Sequence, residues 1–404
     1  MNILITGAQF GNKGAQSMLF TVVNEVRDRY PDAEFYYLPL DYYKEGCFQN
    51  VSDYRFHFVV DDKAGEDFPA KFGALQIALR SANIRKILRN AQQYGEVLAL
   101  SRLWDRLDVL IDVSGYSLTS KFGISSINRV LRMLNTAKAH GVKTILLPQS
   151  YGPFDFPEDV CKRIGAALSD ADLLFAREQD GIEQLREHCG VTNAVLSPDI
   201  VLQAKEIKWE NVFVREPKLQ YPVLKTSGNV GIVPNGETVR NGKHDSVLNM
   251  YRMILKELRA AGKEVYIFRH SNDLPLCREI YALIRDDEHC HLIEDEIDCL
   301  SYGPFVRQFD FIVASRFHSI VHAYREGVPA LVLGWAIKYQ ALTALLGQEA
   351  YVFDVQNIDG ERLAAELQVL NNNHKQESSL IGEKLAQLQK DSCFETAKII
   401  LDLP

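Results

Sequence analysis

No two of the seven cysteines, at 47, 161, 189, 277, 290, 299 and 393, stand in a C-x-x-C spacing, and their number is odd. Neither a disulfide framework nor a zinc ribbon is indicated, and the thiols read as reduced and structural. Also missing is any apolar run near the roughly 20 residues that span a bilayer. Basic tracts are absent too, and the formal charge over 404 residues is −8, so no nucleic-acid partner is expected. The opening MNILITGAQFGNKG lacks the basic start and cleavage site of a secretory leader. A cytoplasmic protein is expected. There is no internal repeat and no low-complexity segment.

What is present is an ordinary globular composition, 47% hydrophobic, 10% aromatic and 24% charged, which excludes a disordered, collagen-like or all-coiled-coil chain. The length suggests two domains. Apolar segments of five or six residues alternate with longer segments of helical period, the pattern of helices packed on parallel sheets. The fold class is therefore α/β. Strands are expected at Asn2–Thr6, Glu34–Leu38, Phe56–Val60, Asp108–Val113, Lys143–Pro148, Asp172–Phe175 and Ala194–Leu196, with helices between them, one over Lys71–Arg89. The texture changes over Gln203–Asn229, which has neither period and several charges. The strand and helix alternation resumes at Val230. The expected organisation is a Rossmann-like domain over 1–205, a linker over 206–228, a second Rossmann-like domain over 229–375, and C-terminal helices over 376–404 that can cross back to the first. In such doubly wound sheets ligands bind outside the carboxyl ends of the strands, here in a cleft between the two domains.

Several polar groups fall at those strand ends. The turn from Gly7 to Gly14 carries glycines at 7, 11 and 14, not the G-x-G-x-x-G spacing of dinucleotide binding. Gly11, Asn12 and Gly14 can form an acceptor- or anion-binding loop at a helix start, or only a turn needing positive φ. Asp112, Ser114 and Gly115 end the next candidate strand, and Asp112 can alternatively serve buried backbone. Gln149 sits in the shaped loop Pro148–Pro153. Arg177 follows a further strand and is read either as pointing at an anion or as a partner of Glu178. Most informative is Arg316-Phe-His318, which ends a buried strand and opens a helix, with Lys338 at the next strand end. Burying both polar heads without purpose is costly, and cations beside a helix N-terminus make an anion pocket. The run Asp286–His291 lacks familiar metal-ligand spacing, and no metal is expected.

The turn Gly11-Asn-Lys-Gly14, the D-V-S-G strand end, the P-Q-S-Y-G-P loop, Arg177-Glu178, Ser197-Pro-Asp199, Ser315-Arg-Phe-His318, Gly327-Val-Pro329 and Lys338-Tyr339 together resemble the polysaccharide pyruvyl transferases. That resemblance implies a GT-B-like fold, with the acceptor side in the first domain and the donor side in the second. It implies transfer of the pyruvyl group of phosphoenolpyruvate onto two hydroxyls of one saccharide as a cyclic ketal, without metal or other cofactor. The saccharide would be a hexose of a lipid-linked or polymeric cell-surface glycan, such as a capsule or exopolysaccharide, met at the inner face of the membrane. His318 would be the general acid, because an imidazole titrates near neutrality. Arg316, Lys338 and Arg177 would bind the donor, an arginine offering a bidentate fork to phosphate or carboxylate. Where the family carries an acidic residue directly after the glycine turn, this chain has Ala15, so Asp112 is the substitute candidate for the base. Competing readings are a glycosyltransferase using a nucleotide sugar, with Glu237 on the ribose, and a non-catalytic scaffold of a glycan-assembly complex.

Overall fold

Strands such as NILIT and FIVA are apolar on both faces, so each sheet needs helices on both sides to leave water. The structure, a computed structural model, describes residues 1–41, 48, 50–63, 82, 84–86, 97–204, 206–224 and 227–402. Cys47 and most of the helix expected over Lys71–Arg89 lie outside the described residues. Two compact units are formed. Unit 1 comprises Met1–Pro217 with Asp391–Pro404, and unit 2 comprises Lys218–Lys390.

In unit 1 the strands are β1 (Asn2–Thr6), β2 (Glu34–Tyr37), β3 (His57–Val60), β4 (Val97–Ala99), β5 (Val109–Asp112), β6 (Lys143–Gln149), β7 (Leu173–Ala176) and β8 (Ala194–Leu196). They pair in parallel in the order β4-β3-β2-β1-β5-β6-β7-β8. The helices are α1 (Lys13–Arg29), α2 (Ile124–Ala139), α3 (Glu158–Ser169), α4 (Gln179–Cys189), α5 (Ile200–Gln203) and α6 (Trp209–Val212).

Unit 2 repeats the plan with β9 (Asn229–Val233), β10 (Glu264–Phe268), β11 (Cys290–Ile293), β12 (Phe311–Ala314), β13 (Ala330–Gly334) and β14 (Val352–Asp354). The order β11-β10-β9-β12-β13-β14, again parallel, is the doubly wound one. Its helices are α7 (Gly236–Asn241), α8 (His244–Ala260), α9 (Leu274–Ala282), α10 (Cys299–Val306), α11 (Phe317–Arg325), α12 (Ile337–Ala344) and α13 (Gly360–Leu388), after which α14 (Cys393–Leu401) belongs to unit 1.

Helical spacing explains where the last elements go. Leu363, Leu367 and Leu370 of α13 lie on one face and join Ile254 and Leu258 of α8 in the core over β9 and β12. In α14, Cys393, Phe394 and Ala397 are buried, and the Cys393 N–H donates to Gln203 Oε1 at 2.6 Å. Arg29 of α1 pairs with Glu395 at 2.5 Å. The segment read as linker from residue 206 is partly structured. Val212 and Phe213 are buried, Phe213 bridges to Tyr54, and the division between the units falls after Pro217. Among the described residues no helix is long and apolar enough to cross a membrane.

Candidate active site

In a doubly wound sheet the crevice for a ligand opens where the strand order reverses, between β1 and β5 in unit 1 and between β9 and β12 in unit 2. Both reversals are lined with polar side chains.

In unit 1 the register sets Thr6 beside Asp112. Asp112 is 4% exposed. Its Oδ2 accepts from Thr6 Oγ1 and Ser114 Oγ, both at 3.0 Å, and its Oδ1 accepts from Ser114 N at 3.0 Å and Gln149 Nε2 at 3.3 Å. A carboxylate has about four lone-pair sites, so these four donors saturate it. Burial raises its pKa while the bonds from Ser114 and Thr6 oppose the rise. Through these bonds Asp112 fixes Ser114 and Gln149 in place. Gly7 makes this packing possible. Its φ is +93°, and a Cβ there would lie 2.5 Å from Ser114 N.

The rest of the glycine turn is held by local chemistry. Phe10 stacks on Tyr37 at 5.6 Å and meets Phe58 edge-on at 5.8 Å, which anchors the loop in an aromatic cluster. Asn12 Oδ1 accepts from Gly14 N at 3.1 Å and Ala15 N at 3.4 Å, capping α1. The amides expected to greet an anion at this turn therefore serve the cap. Gly11 is exposed with no neighbour within 4 Å of an added Cβ. Of Gly7 and Gly11, it is Gly7 that requires close backbone approach.

Arg177 is likewise held by several partners. Its side chain is 5% exposed and its Nη1 lies 2.7 Å from Asp199 Oδ2, itself 1% exposed. Nη2 donates to the Gly115 carbonyl at 2.5 Å and to Ser150 Oγ at 3.0 Å. Ser150 also donates to Glu178 at 2.9 Å. This arginine ties the loops after β5, β6 and β7 together. The partner that sequence reasoning did not assign is Asp199, in the Ser197-Pro-Asp199 motif.

Unit 2 brings three of the expected residues together. The chain leaving β12 is pinned at Ser315, whose carbonyl accepts from Tyr339 Oη at 2.9 Å and Asn235 Nδ2 at 3.2 Å. Arg316 is the N-cap residue of α11, and the half-buried His318 lies in its first turn. The His318 ring meets Phe317 edge-on at 5.4 Å. Lys338 approaches from the start of α12, its Nζ 5.5 Å from the Phe317 ring centre and 5.6 Å from that of Tyr339. A cation over two aromatic faces keeps its charge in a defined place.

Arg316 differs from expectation in one respect. Nε and Nη2 each donate to Asp273, at 2.7 and 2.5 Å, so one edge of its fork is occupied and, among the described residues, the edge formed by Nη1 and the second Nη2 N–H is left for a ligand. Asp273 follows β10. Its position outside the carboxyl end of a candidate strand was the available signal, but pairing with Arg316 depends on which strands are neighbours. Glu237 pairs with Arg240 at the surface, and His289 and His291 both bond Glu264 at the opposite strand ends, at 2.6 and 2.9 Å. Among the described residues no group of three His, Cys, Asp or Glu side chains could hold a metal ion.

Each of the two units is a parallel, doubly wound α/β sheet with polar strand ends at its reversal, the plan found in GT-B folds. The chain spans the full length of a UDP-GlcNAc 2-epimerase from Neisseria meningitidis and is covered fully by it, at TM-score 0.55 and 12% identity. It is 92% covered by, and covers 93% of, a UDP-GlcNAc 2-epimerase from Methanocaldococcus jannaschii, at TM-score 0.53 and 12% identity. OtsA matches over 100% of both chains at TM-score 0.51 and 10% identity. At such identities the likeness speaks to the fold. The chain belongs to the polysaccharide pyruvyl transferase family, whose sequence model matches residues 12–336. Asp112, Arg177, Arg316 and His318 lie within that span, and Lys338 two residues past it. A search of curated protein sequences finds no match.

Proposed function

We propose that this transferase moves the pyruvyl group of phosphoenolpyruvate onto two hydroxyls of one saccharide, forming a cyclic ketal and releasing phosphate. The observation that carries the reading is the gathering of Arg316, His318 and Lys338 around Phe317 at the switch point of unit 2. A donor with a phosphate and a carboxylate needs cations, and its enol needs an acid. His318 protonates C3, which makes C2 electrophilic. One hydroxyl adds to C2 and the second displaces phosphate. Of the two hydroxyl protons, one balances the proton given to C3 and the other departs with phosphate. Arg316, through Nη1, and Lys338 hold the donor's anionic groups. The acceptor is a hexose of a lipid-linked or polymeric cell-surface glycan, with any membrane contact peripheral.

Incubation with phosphoenolpyruvate and a panel of saccharides tests the reading by phosphate release and by the mass added to the sugar. Phosphoenolpyruvate should also raise the melting temperature more than UDP-GlcNAc at equal concentration, because a ligand bound only by the native state stabilises it. Stabilisation by the nucleotide sugar alone, with no phosphate released, would transfer the assignment to a glycosyltransferase.

Lys338→Arg separates charge from shape. A wide guanidinium cannot sit where a compact ammonium lies over Phe317 and Tyr339, so turnover should fall about tenfold or more. Wild-type kinetics in Lys338→Ala would remove Lys338 from the site.

A further inference from the structure

The pair formed by Arg316 and Asp273 has a buried end and an accessible end. The Asp273 side chain is 2% exposed and that of Arg316 is 29%. Oδ1 of Asp273 accepts from Arg316 Nη2 at 2.5 Å and from Gly236 N at 3.0 Å, while Oδ2 accepts from Arg316 Nε at 2.7 Å. One carboxylate thus joins the loops after β9, β10 and β12. Charge-assisted bidentate bonds of this kind fix a guanidinium in one rotamer.

We propose that Asp273 is the positioning residue of the donor site: it holds Arg316 so that Nη1 faces the ligand, and it moderates the positive charge felt by a phosphate-bearing ligand. The donor part of this inference rests on the pyruvyl-transfer reading. An unclamped arginine could grip phosphate with its whole fork, and would hold the released phosphate as firmly as the donor. Binding shared equally by ground state and transition state adds nothing to kcat. With one edge spent on Asp273, Arg316 contributes alignment at the cost of raw affinity.

Asp273→Asn removes the charge but keeps an oxygen for Gly236 N. In this variant phosphoenolpyruvate and inorganic phosphate should bind about tenfold more tightly, while kcat falls about tenfold; each change is of the size of one charge-assisted hydrogen bond. Asp273→Glu, which restores the carboxylate, should return anion affinity toward wild type. Simple loss of structure gives the opposite sign, weaker binding in step with a lower melting temperature. If the Asn variant melts early, the Glu variant carries the test.

A second readout is independent of the donor. Phenylglyoxal should modify Arg316 about tenfold faster in Asp273→Asn than in wild type, read from the mass of the peptide containing residue 316. Equal labelling rates, or unchanged anion affinity and kcat, would overturn the role of Asp273. Failure of wild type to bind or turn over phosphoenolpyruvate, with labelling still accelerated, would overturn the donor reading alone.

Discussion

His318→Gln is expected to lower kcat by about 10²–10⁴, the usual span for loss of a general acid. Its affinity for phosphoenolpyruvate should change little, because the anion-binding groups are Arg316 and Lys338. Glutamine matches the imidazole in length and polarity but cannot deliver a proton. The ring is half-buried in the first turn of α11 and touches Phe317 at 5.4 Å, so the replacement has room. Binding kept with turnover lost is the sign of an interaction used only in the transition state. A packing histidine would behave in reverse, with an early melting transition and near-normal activity per folded molecule. Melting temperature, donor affinity and kcat measured on one preparation separate the two.

Arg177→Ala is expected to act on stability. Asp199 would stay buried without its guanidinium partner, and breaking a buried ion pair by removing one member costs about 3–5 kcal/mol. For a unit of this size that is a fall on the order of 10 °C in melting temperature. Asp199→Asn should give a smaller fall, since the amide can still accept from Val201 N, which now donates to Asp199 Oδ1 at 3.0 Å. If instead Arg177→Ala melted normally and raised the KM for donor, the arginine would belong to the ligand site.

Where apolar period was regular the sequence was legible to the residue or nearly so: β1 has the expected limits, and β6 ends one residue later than expected. What escaped was short or contradictory. β4 and β14 have three residues each at sheet edges, too few to show a period. α10 contains Gly303 and Pro304, poor helix formers, yet Asp298 caps it through Leu300 N and Ser301 N at 2.8 and 2.9 Å. At the site, residue types were legible but their partners were not. Arg316, His318 and Lys338 could be placed together because consecutive strand ends return to one edge. That Asp273 would occupy Arg316, or Asp199 Arg177, depends on pairings set by the lateral order of strands. Asp112 shows the same limit. A carboxylate at a strand end looks the same in sequence whether it has four hydrogen-bond donors or none.

The return of α14 to unit 1 has a consequence for synthesis on the ribosome. Its contacts, Cys393 N on Gln203 and Glu395 on Arg29, complete a unit whose other residues end at Pro217. All of Lys218–Lys390 is translated in between, a delay on the order of ten to thirty seconds at common elongation rates. During that interval the seats of Cys393 and Phe394 are open to water and to other nascent chains. The first unit to emerge is therefore the last to be closed.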